Sequence, residues 1–587
     1  MRFSASFTAL AAFASTASAL TLPLNRHSAN NSTIVARQDA GPKQVFAHFM
    51  LGIVASYTVA DWEQDINQAK NIGIDGFALN SGTDTYTRDQ LHNAYQAAKN
   101  VGGFKLFISF DFTSFSKDDV NGVAGYIKEF AGEEAQLKIG DKVFVSTFYG
   151  DNFPFRAAEA AAGVPLFACP AWGPEALASA DADCGFQWNS WPSENNLPVD
   201  KPMTLDGDKW WETNLAGKPY MAGASPWFFT HFGTDTWNKN WIFKSDTLWT
   251  DRWQQLLELA PQFIEIITWN DYGESHYIGP LRDEKPDVYA GGPTGAVKWT
   301  PGHDHSAWAT VAAPYIAAYK QGASSPIVSS DHLVYYYRQQ SNSLQCSDPV
   351  PTPTGASLMA DSVFVTALLT EPGSIIITSG GNAPVSIDVD AGVHTVSAPM
   401  GVGKQSFQLV RGGNAILSGD GYRDIRDSCD VYDFNPFVGE VSGGGGQSAP
   451  GPVAPAPETP APAPETPTET AAPAPETPAP TPEPQSAPGP VAAPPADSPA
   501  PASSKSVSFS TEHETVWGDN IYISGSVDAL GNWDAGRAVM LNTDATTYPT
   551  WNANVDLPAG TAYDYKYILK TSDGQVTWEG ETQHATA

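Results

Sequence analysis

Cysteine is scarce in this 587-residue chain, which has only Cys169, Cys184, Cys346 and Cys429. That excludes a disulfide-dense scaffold and allows two bridges at most. Positive charge is scarce too: 32 Lys and Arg stand against 64 Asp and Glu, a formal charge of −32. A surface of that sign repels phosphate backbones, so nucleic acid is not expected as a partner. Beyond the first twenty residues no apolar run reaches the roughly 20 residues that cross a bilayer, so no membrane partner is expected. Three chemical signatures are also missing. No G-x-G-x-x-G follows the first strand pattern, no H-E-x-x-H occurs, and there is no G-x-S-x-G elbow. Their absence argues against dinucleotide, zinc-peptidase and serine-hydrolase chemistry respectively. A metal held by His48, His276 and Asp271 lacks any ligand-motif spacing, so no metal or cofactor is expected.

What is present begins with "MRFSASFTALAAFASTASAL". Arg2, a short apolar stretch and Ala17-Ser18-Ala19 are the three parts of a secretory signal. Residues 1–19 are therefore expected to direct export, to an extracellular or wall-associated location. Residues 20–37, ending at Arg37, read as a pro-region. In an exported protein the cysteines are expected to pair. Cys169 with Cys184 closes a short loop and Cys346 with Cys429 brackets a β-rich stretch, which is the pairing expected among three.

Composition divides the remainder. Residues 437–505 are mostly Pro, Ala, Glu, Thr and Ser, with "QSAPGPVA" at both Gln447 and Gln485. Such a segment buries no core and reads as an extended tether. Upstream, over 38–334, short apolar runs ("VFAHFML", "GFALN", "KLFISFDF", "KVFVSTFYG", "PLFACPAW", "FIEIITW") alternate with helical patterns. Repeated strand–helix units imply a parallel sheet covered by helices, and their number favours a closed (β/α)8 barrel. Residues 335–436 switch to short alternating strands, an accessory all-β sandwich. Residues 506–587 read as a second β-sandwich carried on the tether. A monomer is expected.

In a barrel, chemistry gathers where the strands end. At those exits stand His48, Asn80, Asp111, Asp151, Asp271 and Glu274. Asp75 opens its strand at the opposite end, where a structural role fits better. "TWNDYGESHYIGP", Thr268–Pro280, places Asp271, Glu274 and His276 within six residues after an apolar strand. Two carboxyls so close suit glycosidic hydrolysis, in which one protonates the leaving oxygen while the other activates water or attacks carbon. The longer Glu274 side chain, set beside Trp269 or Tyr272, favours Glu274 as the acid. Trp172, Trp188, Trp191, Tyr220, Trp227, Trp269 and Tyr272 are candidates to line the substrate path. Asp111 and His276 are candidates to support the pair.

"VFAHFMLGIVASYTVADWEQDINQAKNIGIDGFALNSG" and "TWNDYGESHYIGP" resemble the opening strands and signature loop of fungal endo-α-1,3-glucanases (mutanases), glycoside hydrolase family 71. The resemblance covers about residues 43–430. It implies a barrel with an accessory sandwich, an inverting endo-acting mechanism on α-1,3-glucan, and catalytic carboxylates at Asp271 and Glu274. It also lends Asp75 a supporting role.

"WGDNIYISGSVDALGNWD", "LPAGTAYDYKYILK" and "VTWEG" resemble a starch-binding module, carbohydrate-binding family 20. That resemblance implies a glucose site on Trp533 and Trp578 with hydrogen bonds from Lys566 and Glu579. It implies a second site on Trp517, in place of a Tyr, and on Tyr548. Gln583 stands where the family has Asn. Trp551 fits better in the module's core. The module's usual ligand makes hydrolysis of α-1,4-glucan the alternative activity, and a non-catalytic α-glucan-binding protein a third reading.

Overall fold

The computed structural model describes residues 41–442 and 504–586, apart from short stretches within each. The expected signal, pro-region and most of the tether lie outside the described residues, as do Trp517 and Tyr548.

Eight parallel strands make up the main sheet, β1 Gln44–Met50, β2 Gly76–Ser81, β3 Lys105–Asp111, β4 Lys142–Phe148, β5 Leu166–Ala171, β6 Gly185–Gln187, β7 Tyr220–Ala224 and β8 Phe263–Ile266, with the short strand Lys138–Ile139 antiparallel on β4. They pair in the order β6-β7-β8-β1-β2-β3-β4-β5, so the sheet curls with neighbours in sequence lying side by side. Helices follow most strands. The first, Val59–Asn71, begins with a capping box in which Thr58 and Asp61 satisfy each other's backbone amides. No ladder joins β5 to β6 among the described residues. That seam carries two backbone bonds, from Asp183 N and Cys184 N to Ala168 O at 2.8 and 3.1 Å, and the Cys169–Cys184 disulfide. Among the described residues the structure therefore gives a curled sheet whose β5–β6 seam forms no ladder, where a closed barrel was expected.

Alternate residues of each strand point to the concave side. Phe46, Phe107, Phe144, Phe167 and Phe263 fill it, with Phe107 and Phe144 ring centroids 4.6 Å apart and Phe46 and Phe107 5.0 Å apart. Two residues further along β1 and β8, the fully buried His48 and Glu265 pair at 2.7 Å. The sheet thus becomes polar as it approaches the strand exits.

Two antiparallel four-stranded sheets make the accessory sandwich, running from His332 to Ser442. Its strand Phe437–Ser442 pairs with His332–Tyr337, although composition had assigned it to the tether. The run "HLVYYY" is apolar throughout because both its faces are buried. Leu333, Tyr335 and Tyr337 enter the sandwich core, while Val334 and Tyr336 pack into the core of the parallel domain. The second disulfide, Cys346–Cys429, staples a loop beside this junction. The terminal module starts with Ser504–Glu512, paired to Thr550–Pro558, two residues before the expected boundary. Its core includes Trp551, whose indole N–H donates to His513 O at 2.9 Å.

Candidate active site

The loop after β8 is built around Thr268. The Thr268 hydroxyl accepts from the Asp271 amide at 2.9 Å and meets Nδ1 of His276 at 3.1 Å. With the Asp271 bond occupying a lone pair, the hydroxyl proton is free for Nδ1. That leaves the His276 proton on Nε2, which lies 3.1 Å from Glu274 Oε2 and donates to it. The ring is fully buried between Trp191 and Phe228, its centroid 5.3 and 5.5 Å from theirs. Asp271 Oδ1 accepts from the Glu274 amide at 3.1 Å, which closes the turn. The carboxyls themselves remain partly open, each about 20 % exposed.

One oxygen each of Asp271 and Glu274 and one ring nitrogen of His276 lie within 4.8 Å of one another. Such a concentration of negative charge requires a cation, and Lys239 supplies it, its Nζ 3.0 Å from Glu274 Oε1. The two carboxyls then part company. Burial, together with the nearby Glu274 charge, pushes Asp271 up from the usual Asp range. Burial also acts to raise Glu274, but the Lys239 charge and the His276 hydrogen bond outweigh it and hold Glu274 at about 2. Of the two, Asp271 is the one that holds a proton more readily and Glu274 the one that more readily carries the charge. This reverses the order expected from side-chain length.

Several other candidates sit at neighbouring strand exits. Asp111 ends β3 and is tied in an Asx turn, its Oδ1 accepting from Thr113 N and Oγ1 at 2.9 and 2.6 Å. Asp151 accepts from Gly173 N at 3.0 Å, and burial pushes its carboxyl up. Asn80 is nearly buried in β2 beside Met50 of β1 and Ser109 of β3. Trp188 is half-buried, edge-on to His48 at 4.7 Å and to Phe148 at 4.8 Å.

The remaining sequence candidates are corrected by their surroundings. His48 is sealed under Trp188 against Glu265 rather than open to a ligand. Asp75 lies at the opposite end of the sheet. It accepts from Val45 N at 2.8 Å and pairs with Lys320 at 2.7 Å, so it anchors strand β1 and does not support the carboxyl pair. Six rings offered as lining of the substrate path are core: Trp172, Trp191, Tyr220, Trp227, Trp269 and Tyr272 are each at most 5 % exposed. Tyr220 opens β7 and bonds Asp208 at 2.8 Å, Trp227 donates to Phe434 O at 3.1 Å, and Tyr272 donates to Pro280 O at 2.9 Å. Burying a ring stabilises a fold by more than an exposed platform does, and at these positions that effect prevails.

The sequence reading missed Lys239 and Tyr149. Tyr149 follows β4 with φ 57° and is 38 % exposed. A left-handed aromatic residue stores about 1–3 kcal/mol of strain, a cost usually met at functional positions. Its hydroxyl feels both Lys239 and Glu274. The turn composition "YGDN" was the available signal for Tyr149. Lys239 lies in a long irregular segment and carried no signal of its own, except that an acid pair needs a counter-charge.

In the terminal module Trp533 is 40 % exposed, with its ring centroid 6.3 Å from that of Trp578. Glu579 Oε2 accepts from Tyr567 N at 3.2 Å, and Lys566 lies on the strand Ala562–Lys570.

Residues 41–450 match the model of glycosyl hydrolase family 71, and residues 504–587 match that of a starch binding domain. A mutanase of Penicillium rubens is 45 % identical over 416 residues, covering 70 % of this chain and 91 % of the relative. A glucan endo-1,3-alpha-glucosidase of Schizosaccharomyces pombe is 38 % identical over 418 residues, covering 68 % of this chain and 94 % of the relative. The terminal segment is 49 % identical over 75 residues to a glucoamylase of Schizophyllum commune, 13 % of this chain and 12 % of that one.

The placement of Asp75 yields a direct check. Asp75→Asn removes a half-exposed ion pair, so it should cost no more than about 1 kcal/mol in denaturant unfolding and leave turnover within twofold of the parent. A loss of turnover comparable to that of Asp271→Asn would return Asp75 to the site.

Proposed function

The chain belongs to glycosyl hydrolase family 71, and on that basis we propose that Asp271 and Glu274 hydrolyse α-1,3-glucosidic bonds of α-1,3-glucan, within the chain and with inversion. The enzyme is a glycoside hydrolase with a starch-binding domain at residues 504–587. The observation that carries the assignment of roles is the asymmetric environment of two adjacent carboxyls, one facing Lys239 and His276 and the other pushed up by its neighbour's charge. Asp271 donates its proton to the leaving glycosidic oxygen. Glu274 accepts a proton from the attacking water. Tyr149, Asp111, Asp151 and Trp188 form the surrounding rim and bind sugar hydroxyls and faces. Closure of the sheet at the Cys169–Cys184 seam would complete a (β/α)8 barrel with the carboxyl pair at its strand exits. The sequence of residues 1–19 and the substrate class fit a secreted, monomeric enzyme acting at a wall. Among the described residues no helix is long and apolar enough to cross a membrane.

The decisive assay measures reducing ends released from α-1,3-glucan and from starch in parallel. Release from α-1,3-glucan is expected, and hydrolysis of starch alone would transfer the activity to the α-1,4 bond. Asp271→Asn and Glu274→Gln should each lower kcat by about 10²–10⁴ without loss of fold, the usual contribution of a proton-transfer group. The first product should be the β-anomer by proton NMR; an α-anomer would assign retention.

The pH profile has a definite sign. Activity needs Glu274 ionised and Asp271 protonated. The acid limb of kcat/KM should therefore lie near 2, with activity lost tenfold per unit once Asp271 deprotonates above the ordinary Asp range. The pair titrates jointly, so the limbs belong to both groups. An enzyme inactive in acid and optimal in alkali would contradict this order of protonation.

Trp533→Ala and Trp578→Ala should each weaken adsorption to insoluble α-glucan by about tenfold, roughly 1.4 kcal/mol, in a pull-down assay. Hydrolysis of short soluble substrates should be unchanged, since the module acts by raising local concentration at the polymer.

A further inference from the structure

Lys239 is carried on a two-stranded hairpin, Phe229–His231 with Asn240–Ile242, that rises after β7. One edge of this hairpin touches the backbone of the loop that carries the carboxyl pair. Phe229 N donates to Glu274 O at 3.1 Å, and Phe232 N donates to Lys239 O at 2.7 Å. The other edge is held from outside the parallel domain. His231 Nε2 lies 2.9 Å from Asp348, both side chains fully buried, and its Nδ1 lies 2.7 Å from Asn240 Oδ1. Asn240 Nδ2 donates to Pro351 O at 2.7 Å. Ile242 N donates to Thr354 O at 2.9 Å, and Thr354 N returns a bond to Asn240 O at 3.1 Å. Asp348 also accepts from Tyr432 N at 3.0 Å. The bracing segment and Tyr432 are joined two and three residues away by the Cys346–Cys429 disulfide.

We propose that Lys239 is a positioning residue of the reaction. The stapled 346–354 segment clamps its hairpin so that the ammonium keeps Glu274 the ionised member of the pair and leaves the proton to Asp271. The inference rests on the hydrolytic reading above and adds to it a function for the accessory domain. The groups facing the ammonium are Glu274 and Asp271 from the β8 loop and Tyr149 at the exit of β4, with Asp111 and Asp151 acting on Tyr149 in turn. His276 meets the other oxygen of Glu274, Oε2, at 3.1 Å, while Lys239 holds Oε1. The Lys239 side chain is 45 % exposed, so its ion pair contributes little to stability. A purely structural lysine in this position would be nearly silent.

The test is the pH dependence of kcat/KM on a soluble α-1,3-glucan oligosaccharide for the full chain. Lys239→Met should move the acid limb up by about 1–3 units, the shift that loss of an adjacent opposite charge produces. The alkaline limb should move in the same direction by less. Lys239→Arg should restore the parent profile. An unmoved acid limb in folded Lys239→Met overturns the proposal. Should that variant fail to fold, Asp348→Asn loosens the clamp without touching the pair and must move the limb the same way; an unmoved limb there overturns it equally. Carboxyl carbon NMR of Glu274 in the Asp271→Asn background separates this result from the hydrolytic reading itself. A Glu274 titration that rises on Lys239→Met supports the proposal even where no turnover is measured, and one that stays put overturns it.

Discussion

Two carboxyls held on one turn repel each other, and a low-dielectric surrounding strengthens that repulsion. The loop after β8 resolves the conflict by treating its acids unequally. Lys239 and the Thr268–His276 relay both converge on Glu274. Asp271 takes a hydrogen bond only from a backbone amide and meets His276 Nε2 at the longer distance of 3.8 Å, so the neighbouring Glu274 charge and burial prevail there. The asymmetry needs no difference in intrinsic acidity between the two residues. It follows from which of them receives the donors. Two acids of unequal character can therefore arise from a three-residue spacing that in most sequences marks only a solvated turn.

Holding a lysine against one particular carboxylate places demands far from the loop. The hairpin that carries it emerges from an irregular stretch between β7 and the next helix, Leu248–Leu259, and would have little rigidity alone. The sandwich lends that rigidity through the buried His231–Asp348 contact and the backbone bonds at Thr354. The same sandwich is bound to the parallel domain by a strand, His332–Tyr337, that divides its side chains between two cores. The electrostatics of the site and the packing of the accessory domain are thus parts of one mechanical system.

Much of this was legible in the sequence. Alternating apolar and helical segments announced the parallel sheet, and all eight strands lie side by side in chain order. "NDYGESH" stood out because charge at the exit of a buried strand is costly without partners. The cysteine pairing followed from loop length and is present in the structure. What sequence could not give was direction. A Trp at a strand exit can face a cleft or a core, and Trp172, Trp191, Trp227 and Trp269 all turned to the core, where packing gains exceed those of an exposed ring. His48 likewise reached the strand end but found Glu265 beside it. Lys239 belongs to neither pattern. Its importance depends on a contact between residues 35 apart in an aperiodic segment, and no local period encodes that.

The same restraints bear on how bond cleavage proceeds. The facing oxygens of the pair lie within 4.8 Å, closer than the roughly 6.5–9.5 Å that leaves room for water between an inverting pair. Distance alone would therefore favour a nucleophilic carboxylate. Glu274, however, is tethered at both oxygens, Oε1 by Lys239 and Oε2 by His276. To attack an anomeric carbon it would have to carry an oxygen away from one of these partners at the moment when charge is most in demand. A base faces no such requirement, because an ionised carboxylate offers about four lone-pair sites and two remain free to accept a proton from water. Entry of a glucose unit beside Asp271 needs only that the less restrained partner move. Asp271 is that partner, since its side chain holds one hydrogen bond from the turn and otherwise only a 3.8 Å approach to His276 Nε2. The restraint on Glu274 thus favours water as the attacking group, and in the proposed mechanism separation of the pair falls to Asp271, the residue assigned the proton.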